Sequence, residues 1–301
     1  MASTGMIDQH SNHTSANPFT IGFALLSHSE PQQLLRLVKT LGCLFDNPPI
    51  VCHHDFGQCA LNEKLFPDNV QFARPHVSTK WGHISVSQAA LKAIQLLQET
   101  RNPDWYILLS GSDYPVAPPR KILSDLRDGG YDVYLDYREI QYKIIPPDQC
   151  ATYGYYRPEW SEMAWRRYCT SVRYLPDAAD RLLQRLNPDR PPRIFAGDTW
   201  FMANRKAAAM LRGPFIEQLI RYYRKRFIPE EAFFQTALCN APGLRICREH
   251  KRYADWTAGG SHPKLLTTED LPDILNSGAH FARKFVPDSP VLGIIDRELR
   301  A

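Results

Sequence analysis

The 301-residue chain contains no run approaching the ~18 consecutive apolar residues that a membrane-spanning helix requires. Its first twenty residues lack the basic start and apolar core of a secretory signal, being polar and rich in Ser, Thr, Asn and His. A cytoplasmic location and a disordered tail over residues 1–18 are the expectations that follow. Cysteine is sparse: seven residues, an odd number at scattered spacings, with no C-x-x-C pair. Reduced thiols are therefore expected, and no zinc site. Excess charge is small as well. A formal +4 suits an anionic small molecule and does not require nucleic acid as a partner. The densest basic cluster, Arg221 to Arg226, is interleaved with Tyr222 and Tyr223 and reads as a solvated helix face rather than a nucleic-acid arm. Internal repeats are missing too.

What is present is an ordinary globular composition, 44% hydrophobic and 23% charged, over a length that can bury a sizeable core. From Phe19 onward short apolar runs alternate with helical spacing. Ile21 to Leu26 reads as a strand, Pro31 to Leu41 as a helix, Pro49 to His53 as a second strand and Gln71 to Pro75 as a third. A helix follows from Ser85 to Glu99. Trp105 to Leu109 is almost fully apolar, as a central strand buried on both faces should be. Tyr131 to Leu135 and Thr199 to Ala203 read as strands; Lys206 to Leu211, a stretch from near Pro229, and Thr268 to Asn276 read as helices. Such alternation predicts an α/β fold with a mostly parallel sheet. The segment from Asp136 to Arg193, rich in Tyr, Trp, Arg and Pro, reads as an insertion shaping a substrate cleft.

In open α/β sheets ligands sit at the carboxyl ends of the strands. Polar residues appear at three such points: His28 after the first strand, His54 and Asp55 after the second, and Asp113 after the central one. Any one of them has a structural reading as a turn or cap residue. Together, at one edge, they mark a cleft.

Seven segments then resemble, in order, the motifs of the core-2/I-branching β-1,6-N-acetylglucosaminyltransferases and peptide O-xylosyltransferases (glycosyltransferase family 14). Ser110-Gly111-Ser112-Asp113-Tyr114-Pro115 is similar to their SGxDYP, and Trp81-Gly82-His83-Ile84-Ser85 to their WGxxS. Gly197-Asp198-Thr199-Trp200-Phe201 resembles GSxWF, and Pro229-Glu230-Glu231-Ala232-Phe233-Phe234 resembles PDExFF. Arg252 to Trp256, His262 to Lys264 and Phe281 to Phe285 match RYxDW, HPK and FARKF. The resemblance runs from about residue 20 to 288.

That resemblance implies a GT-A-like fold, with a nucleotide-binding half over 19–135 and an acceptor-binding and catalytic half over 136–301. It implies inverting transfer from a UDP-sugar, UDP-GlcNAc first and UDP-xylose or UDP-glucuronate as variants, to a hydroxyl of a glycan or other acceptor. Glu231 would be the catalytic base, because an acceptor hydroxyl must lose its proton as it attacks the anomeric carbon. As residue types alone, Glu230 and Glu231 equally suit the first turn of a helix, where acids complement the dipole. Donor contacts would fall on Leu26, Ser27, His28, His54, Asp55, Trp81 and Asp113. Lys284 would stabilise the leaving diphosphate, with Lys264 as second cation by position and Arg252 and Arg283 as alternatives. Acceptor contacts would come from Glu139, Trp200 and Trp256. Asp113 has no acidic neighbour two residues away and is a poor cage for Mg²⁺ or Mn²⁺, so neither metal nor cofactor is expected. Glu230 stands where the family has Asp. A non-catalytic sugar- or nucleotide-binding protein on the same fold is the alternative.

Overall fold

Fully apolar strands need cover on both faces, and the alternation of their side chains shows how this chain supplies it. The computed structural model describes residues 19–140, 185, 188–224, 226, 228–257 and 262–299. Strand β1 (Ile21–Ser27) lies parallel to β2 (Ile50–His54), and β2 to β3 (Val70–Phe72). On its other side β1 lies parallel to β4 (Trp105–Ser110), in a register that sets Phe23 beside Ile107 and Leu25 beside Leu109. Phe23, Leu25, Ile107 and Leu109 enter one apolar cluster, whereas Ala24, Tyr106 and Leu108 enter the other. This period-two division is why a run that looks uniformly hydrophobic in sequence serves two cores at once.

Three further elements follow in the chain: β5 (Tyr114–Pro115), β6 (Val133–Leu135) and β7 (Arg138–Glu139). Next come β8 (Phe195–Ala196), β9 (Phe201–Asn204), β10 (Ile246–Cys247), β11 (Arg252–Ala254) and β12 (Phe281–Arg283). The main sheet has the order β10-β6-β9-β4-β1-β2-β3. It is parallel except at β9, which runs antiparallel to both β4 and β6. A mostly parallel sheet in an α/β fold is thus what the chain forms. A second sheet, β11-β12-β5, stands at the end of the central strands, and β7 pairs with β8.

One face of the main sheet is covered by helices α1 (Pro31–Leu44), α3 (Pro119–Asp128) and α8 (Pro290–Glu298), through Leu34, Leu37, Leu41, Ile122, Leu126 and Ile295. The other is covered by α2 (Ser85–Thr100), α5 (Pro214–Tyr223) and α6 (Glu230–Cys239). Short helices α4 (Arg205–Ala209) and α7 (Leu271–Asn276) complete the set among the described residues, with a 3₁₀ turn at Thr268–Asp270 before α7. The expected helix over Thr268 to Asn276 is therefore two shorter pieces, the join falling where Pro272 fixes a new helical start. The Arg221–Arg226 stretch divides by face. Arg221 and Arg224 are exposed, while Tyr222 and Tyr223 are buried, and the Tyr223 hydroxyl lies 2.8 Å from Thr236 Oγ1 on α6. The expected tail over 1–18 and most of the segment read as an insertion lie outside the described residues. No described helix is long and apolar enough to cross a membrane.

The small sheet is fixed to the core through Phe281 and Tyr114. The Phe281 ring is fully buried and meets Phe23 edge-on at 6.3 Å. The Tyr114 hydroxyl donates to Asp296 Oδ1 at 2.7 Å and lies 2.7 Å from Thr40 Oγ1, linking β5 to α8 and α1. Phe281→Ala is expected to destabilise the fold by about 3–5 kcal/mol, the usual cost of emptying a buried phenyl site. Urea unfolding measures it, and a loss under about 1 kcal/mol would show the small sheet to be peripheral to the cooperative core.

Candidate active site

The carboxyl ends of β1 and β4 open into a cleft of about 420 Å³. Leu26, Ser27 and His28 approach it from β1, and Ser110, Gly111 and Ser112 from β4. These two strand ends must come close: Gly111 N donates to Leu26 O at 2.8 Å, and a Cβ at Gly111 would lie 3.3 Å from Ser27 Oγ. The facing wall holds Trp81, Asp198 to Trp200, and Glu230 and Glu231 at the start of α6. Trp256, His262, Pro263, Arg283 and Lys284 close the remaining side.

Under the cationic side lies a buried ion cluster. Asp113 is fully buried, and Ser110 fixes it by donating from its N to Oδ2 at 2.9 Å and from its Oγ to Oδ1 at 2.8 Å. Arg252 Nη1 stands 3.5 Å from Asp113 Oδ2, and Arg283 Nε stands 3.3 Å from Oδ1. Arg252 also donates from Nη2 to Leu108 O at 2.9 Å. Trp200, only 7% exposed, packs its ring against both guanidinium groups, with centroid distances of 5.8 Å to Arg252 and 4.6 Å to Arg283. Arg252 is wholly enclosed, but Arg283 reaches the cleft beside Lys284. Burial lowers the Lys284 pKa, and the neighbouring Arg283 charge lowers it further. The His262 pKa is lowered by burial and by Lys284, Arg283 and His28. Four basic side chains thus share one part of one cleft, an arrangement that attracts an anion.

Two carboxyls stand on the α6 side. Glu231 lines the cleft, and its backbone carbonyl accepts from Gly197 N at 2.8 Å, joining α6 to the segment that carries Asp198 and Trp200. Glu230 is more enclosed. Its Oε1 accepts from Gly82 N at 3.2 Å, and its carbonyl accepts from Thr199 Oγ1 at 3.2 Å. Burial, with the Glu231 charge beside it, pushes the Glu230 pKa up to about 7.

Of the residues named from sequence, the cleft gathers Leu26, Ser27, His28, Trp81, Trp200, Glu231, Trp256 and Lys284. The others sit elsewhere. His54 is buried behind Ser27, its Nδ1 3.2 Å from Ser27 Oγ and its Nε2 2.7 Å from Cys59 O. Asp55 is buried too. It accepts from Thr79 N at 2.6 Å, Thr79 Oγ1 at 2.8 Å and Gln58 Nε2 at 2.7 Å, and so orients two residues that do line the cleft. Burial opposes the Asp55 charge, yet these bonds outweigh it and hold the carboxyl well below the usual carboxylate range. Asp113 lies beneath the cleft in the ion cluster. Lys264 donates to Asp270 Oδ1 at 2.7 Å and is absent from the lining, as is Glu139, which pairs with Arg193. Arg283, named from sequence only as an alternative to Lys264, is the cation beside Lys284. Sequence reasoning did not single out Asp198, His53, Gln58 or Thr79; their polar character at a strand end or turn is the only local signal. Among the described residues no group of three His, Cys, Asp or Glu side chains is placed to hold a metal ion.

Fold and cleft together define the class: an α/β protein with a mostly parallel sheet, whose strand-end cleft sets carboxyls and a cationic cluster around one small-molecule site. Residues 161–276 match the model of the Core-2/I-Branching enzyme family. It is 28% identical to beta-glucuronosyltransferase GlcAT14A of Arabidopsis thaliana over 75% of this chain and 49% of that one. To beta-glucuronosyltransferase GlcAT14B of the same plant it is 27% identical, over 81% and 56%. To xylosyltransferase oxt of Drosophila melanogaster it is 26% identical, over 75% and 26%. The chain therefore spans about half the length of these glucuronosyltransferases. Mouse xyloside xylosyltransferase 1 is a distant structural neighbour, at TM-score 0.39 and 11% identity over 88% of this chain and 96% of that one.

Two outcomes follow from the site's electrostatics. Asp113→Ala leaves the enclosed Arg252 guanidinium, and Arg283 beside it, without their carboxylate and is expected to cost about 3–5 kcal/mol in urea unfolding; a cost under about 1 kcal/mol would mean the cluster is solvated. For Glu230 the folded state favours the neutral acid. Its contribution is complete below about pH 4.5 and is lost as pH rises through about 7, a swing of up to about 3 kcal/mol. Glu230→Gln, which cannot ionise, should therefore gain melting temperature over the native protein as pH rises from 5 to 8.5. Parallel melting curves across that range would refute the buried-acid assignment.

Proposed function

We propose that the chain is an inverting glycosyltransferase that moves a sugar from a UDP-sugar to a hydroxyl of a glycan or other acceptor without a metal ion. The observation that carries this reading is one cleft lined by both Glu231 and the Arg283–Lys284 pair, at the carboxyl ends of parallel strands. Its volume is in the range of small-molecule sites, which run roughly 300–1,000 Å³. The match of residues 161–276 to the family model and the printed names of the relatives support the transfer chemistry.

In this reading Glu231 accepts the acceptor's hydroxyl proton as that oxygen attacks the anomeric carbon from the face away from the diphosphate. The bond from that carbon to the diphosphate oxygen breaks, and its electron pair leaves with UDP. Negative charge grows on the diphosphate as the bond lengthens. Arg283 and Lys284, already held in place, stabilise that charge with no reorganisation at the moment of reaction. Asp113 is engaged by Ser110, Arg252 and Arg283, which leaves it poorly placed to ligate a cation. Trp81 and Trp256, 54% and 50% exposed at the cleft, offer flat faces to a base or a pyranose ring. The sequence motifs put GlcNAc first as the sugar, while the relatives' names favour glucuronic acid and xylose, so all three enter the test.

Glu231→Gln is expected to lower kcat by roughly 10²–10⁴-fold while UDP still binds, and Lys284→Ala should weaken UDP binding. Turnover should persist in EDTA. A Glu231→Gln protein with undiminished turnover would refute the base assignment, and activity lost to EDTA and restored by Mn²⁺ would refute metal independence. UDP binding with no transfer or donor hydrolysis from any of the three sugars would leave a sugar-nucleotide-binding protein instead.

A further inference from the structure

Carboxyls in this cleft come as an adjacent pair, and the transfer step uses only the second. Glu230 is 8% exposed and still contributes to the cleft lining. Its Oε1 is held by Gly82 N, in the turn that also carries Trp81. Its Oε2 is buried and has no hydrogen-bond partner among the described residues. A carboxylate there would set a full charge in an enclosed place against two backbone amides, those of Gly82 and of Glu230 itself. A carboxylic acid instead places its carbonyl oxygen on the amide and keeps one O–H to donate. Buried polar atoms without partners are uncommon in folded proteins, and one at the wall of a ligand cleft points to the ligand as its partner.

We infer that Glu230 is a sugar-recognition residue acting as a neutral acid, its Oε1 holding the Gly82 amide and its Oε2–H donating to an oxygen of the sugar bound in the cleft. The inference rests on the sugar-nucleotide reading above and goes beyond it. Glu230 also has a geometric consequence for its neighbours. Ile228 N donates to Gly82 O at 3.2 Å, so the Trp81–Gly82 turn is held twice by the segment that leads into α6. A single residue thereby relates the Trp81 face, the sugar oxygen and the adjacent base.

Ionisation would remove the donor and place a charge beside Glu231. With burial raising the Glu230 pKa to about 7, sugar recognition should weaken across the neutral range. The surrounding elements bring other charged groups. Glu231 is on the same helix, Lys80 and His83 flank the Gly82 turn, Asp198 precedes Thr199, Arg221 comes from α5 and Arg224 directly follows it. Of these, the Glu231 charge is the one that raises the Glu230 pKa. His28, His53 and His262 line the cleft as well, so the pH response must be compared between native protein and variant.

The test is calorimetric titration with UDP and with UDP-glucuronate, UDP-xylose and UDP-GlcNAc at pH 6 and pH 8.5, on the native protein and Glu230→Gln. For the UDP-sugar that binds best, the gain in affinity over UDP alone should fall roughly tenfold to thirtyfold between the two pH values in the native protein. Glutamine keeps a carbonyl oxygen for Gly82 and an N–H for the sugar, so the variant's gain should not change with pH. The inference is overturned if the native gain is the same at both pH values, if the variant keeps the native pH response, or if UDP binds and no sugar adds affinity. The native profile decides even should the variant fail to fold. Failure of UDP itself to bind removes the sugar-nucleotide reading and this inference with it, whereas UDP binding without a pH-dependent sugar gain removes the role of Glu230 alone.

Discussion

Beneath the cleft floor, the Asp113 carboxylate lies between the guanidinium groups of Arg252 and Arg283, both of which come from the small sheet, while Asp113 follows the central strand of the large one. Enclosing three charges is costly, and replacing them by apolar side chains would often be no less stable. What the cluster provides is position. The loop after β4 has its carboxylate pinned by Ser110, and that carboxylate in turn fixes where β12 ends. Arg283 and Lys284 therefore reach the cleft from a defined direction, with the Trp200 ring packed beneath the Arg283 guanidinium.

Opposed demands are met in the rest of the cleft by keeping charge of each sign under separate control. Asp55, one shell behind the wall, is held ionised by Thr79 and Gln58 and so orients both. Glu230 has the Gly82 amide and its own backbone N–H, and burial outweighs both and favours its neutral form. The two acids are equally ordinary in sequence, and the number of donors around each separates them. In the proposed reaction, this division would let one cleft hold an acid that donates, a carboxylate that accepts and a set of cations for a departing anion.

Much of the central architecture was legible because burial on two faces leaves a plain trace. Ile21 to Leu26 and Trp105 to Leu109 are apolar throughout and became β1 and β4, with boundaries moved by a single residue. Helices α1 and α2 were legible through their apolar spacing. The small sheet was not. Its strands span two or three residues each, too short for any periodicity to show, and they exist only because β12 finds β11 and β5 after long detours in the chain. The same limit applied to α3, whose inner face carries only Ile122 and Leu126, and to the antiparallel direction of β9, which no local feature encodes.

Among site residues, strand-end position and motif order led to Leu26, Ser27, His28, Trp81, Glu231, Trp256 and Lys284, all of which line the cleft. His54, Asp55 and Asp113 were found at the right edge but are buried behind the cleft lining, because Ser27 and Cys59, Thr79 and Gln58, and Ser110 and Arg252 fold against them. By itself the sequence determined the apolar strands of the main sheet from β1 to β4, their order of appearance and the residue types available at their ends, since these follow from local hydrophobic pattern. Only the tertiary structure decided that Arg283 rather than Lys264 joins Lys284, and that Glu230 is enclosed while Glu231 lines the cleft beside it. Both outcomes depend on which distant groups fold against each side chain, Asp270 taking Lys264 and the Gly82 turn covering Glu230.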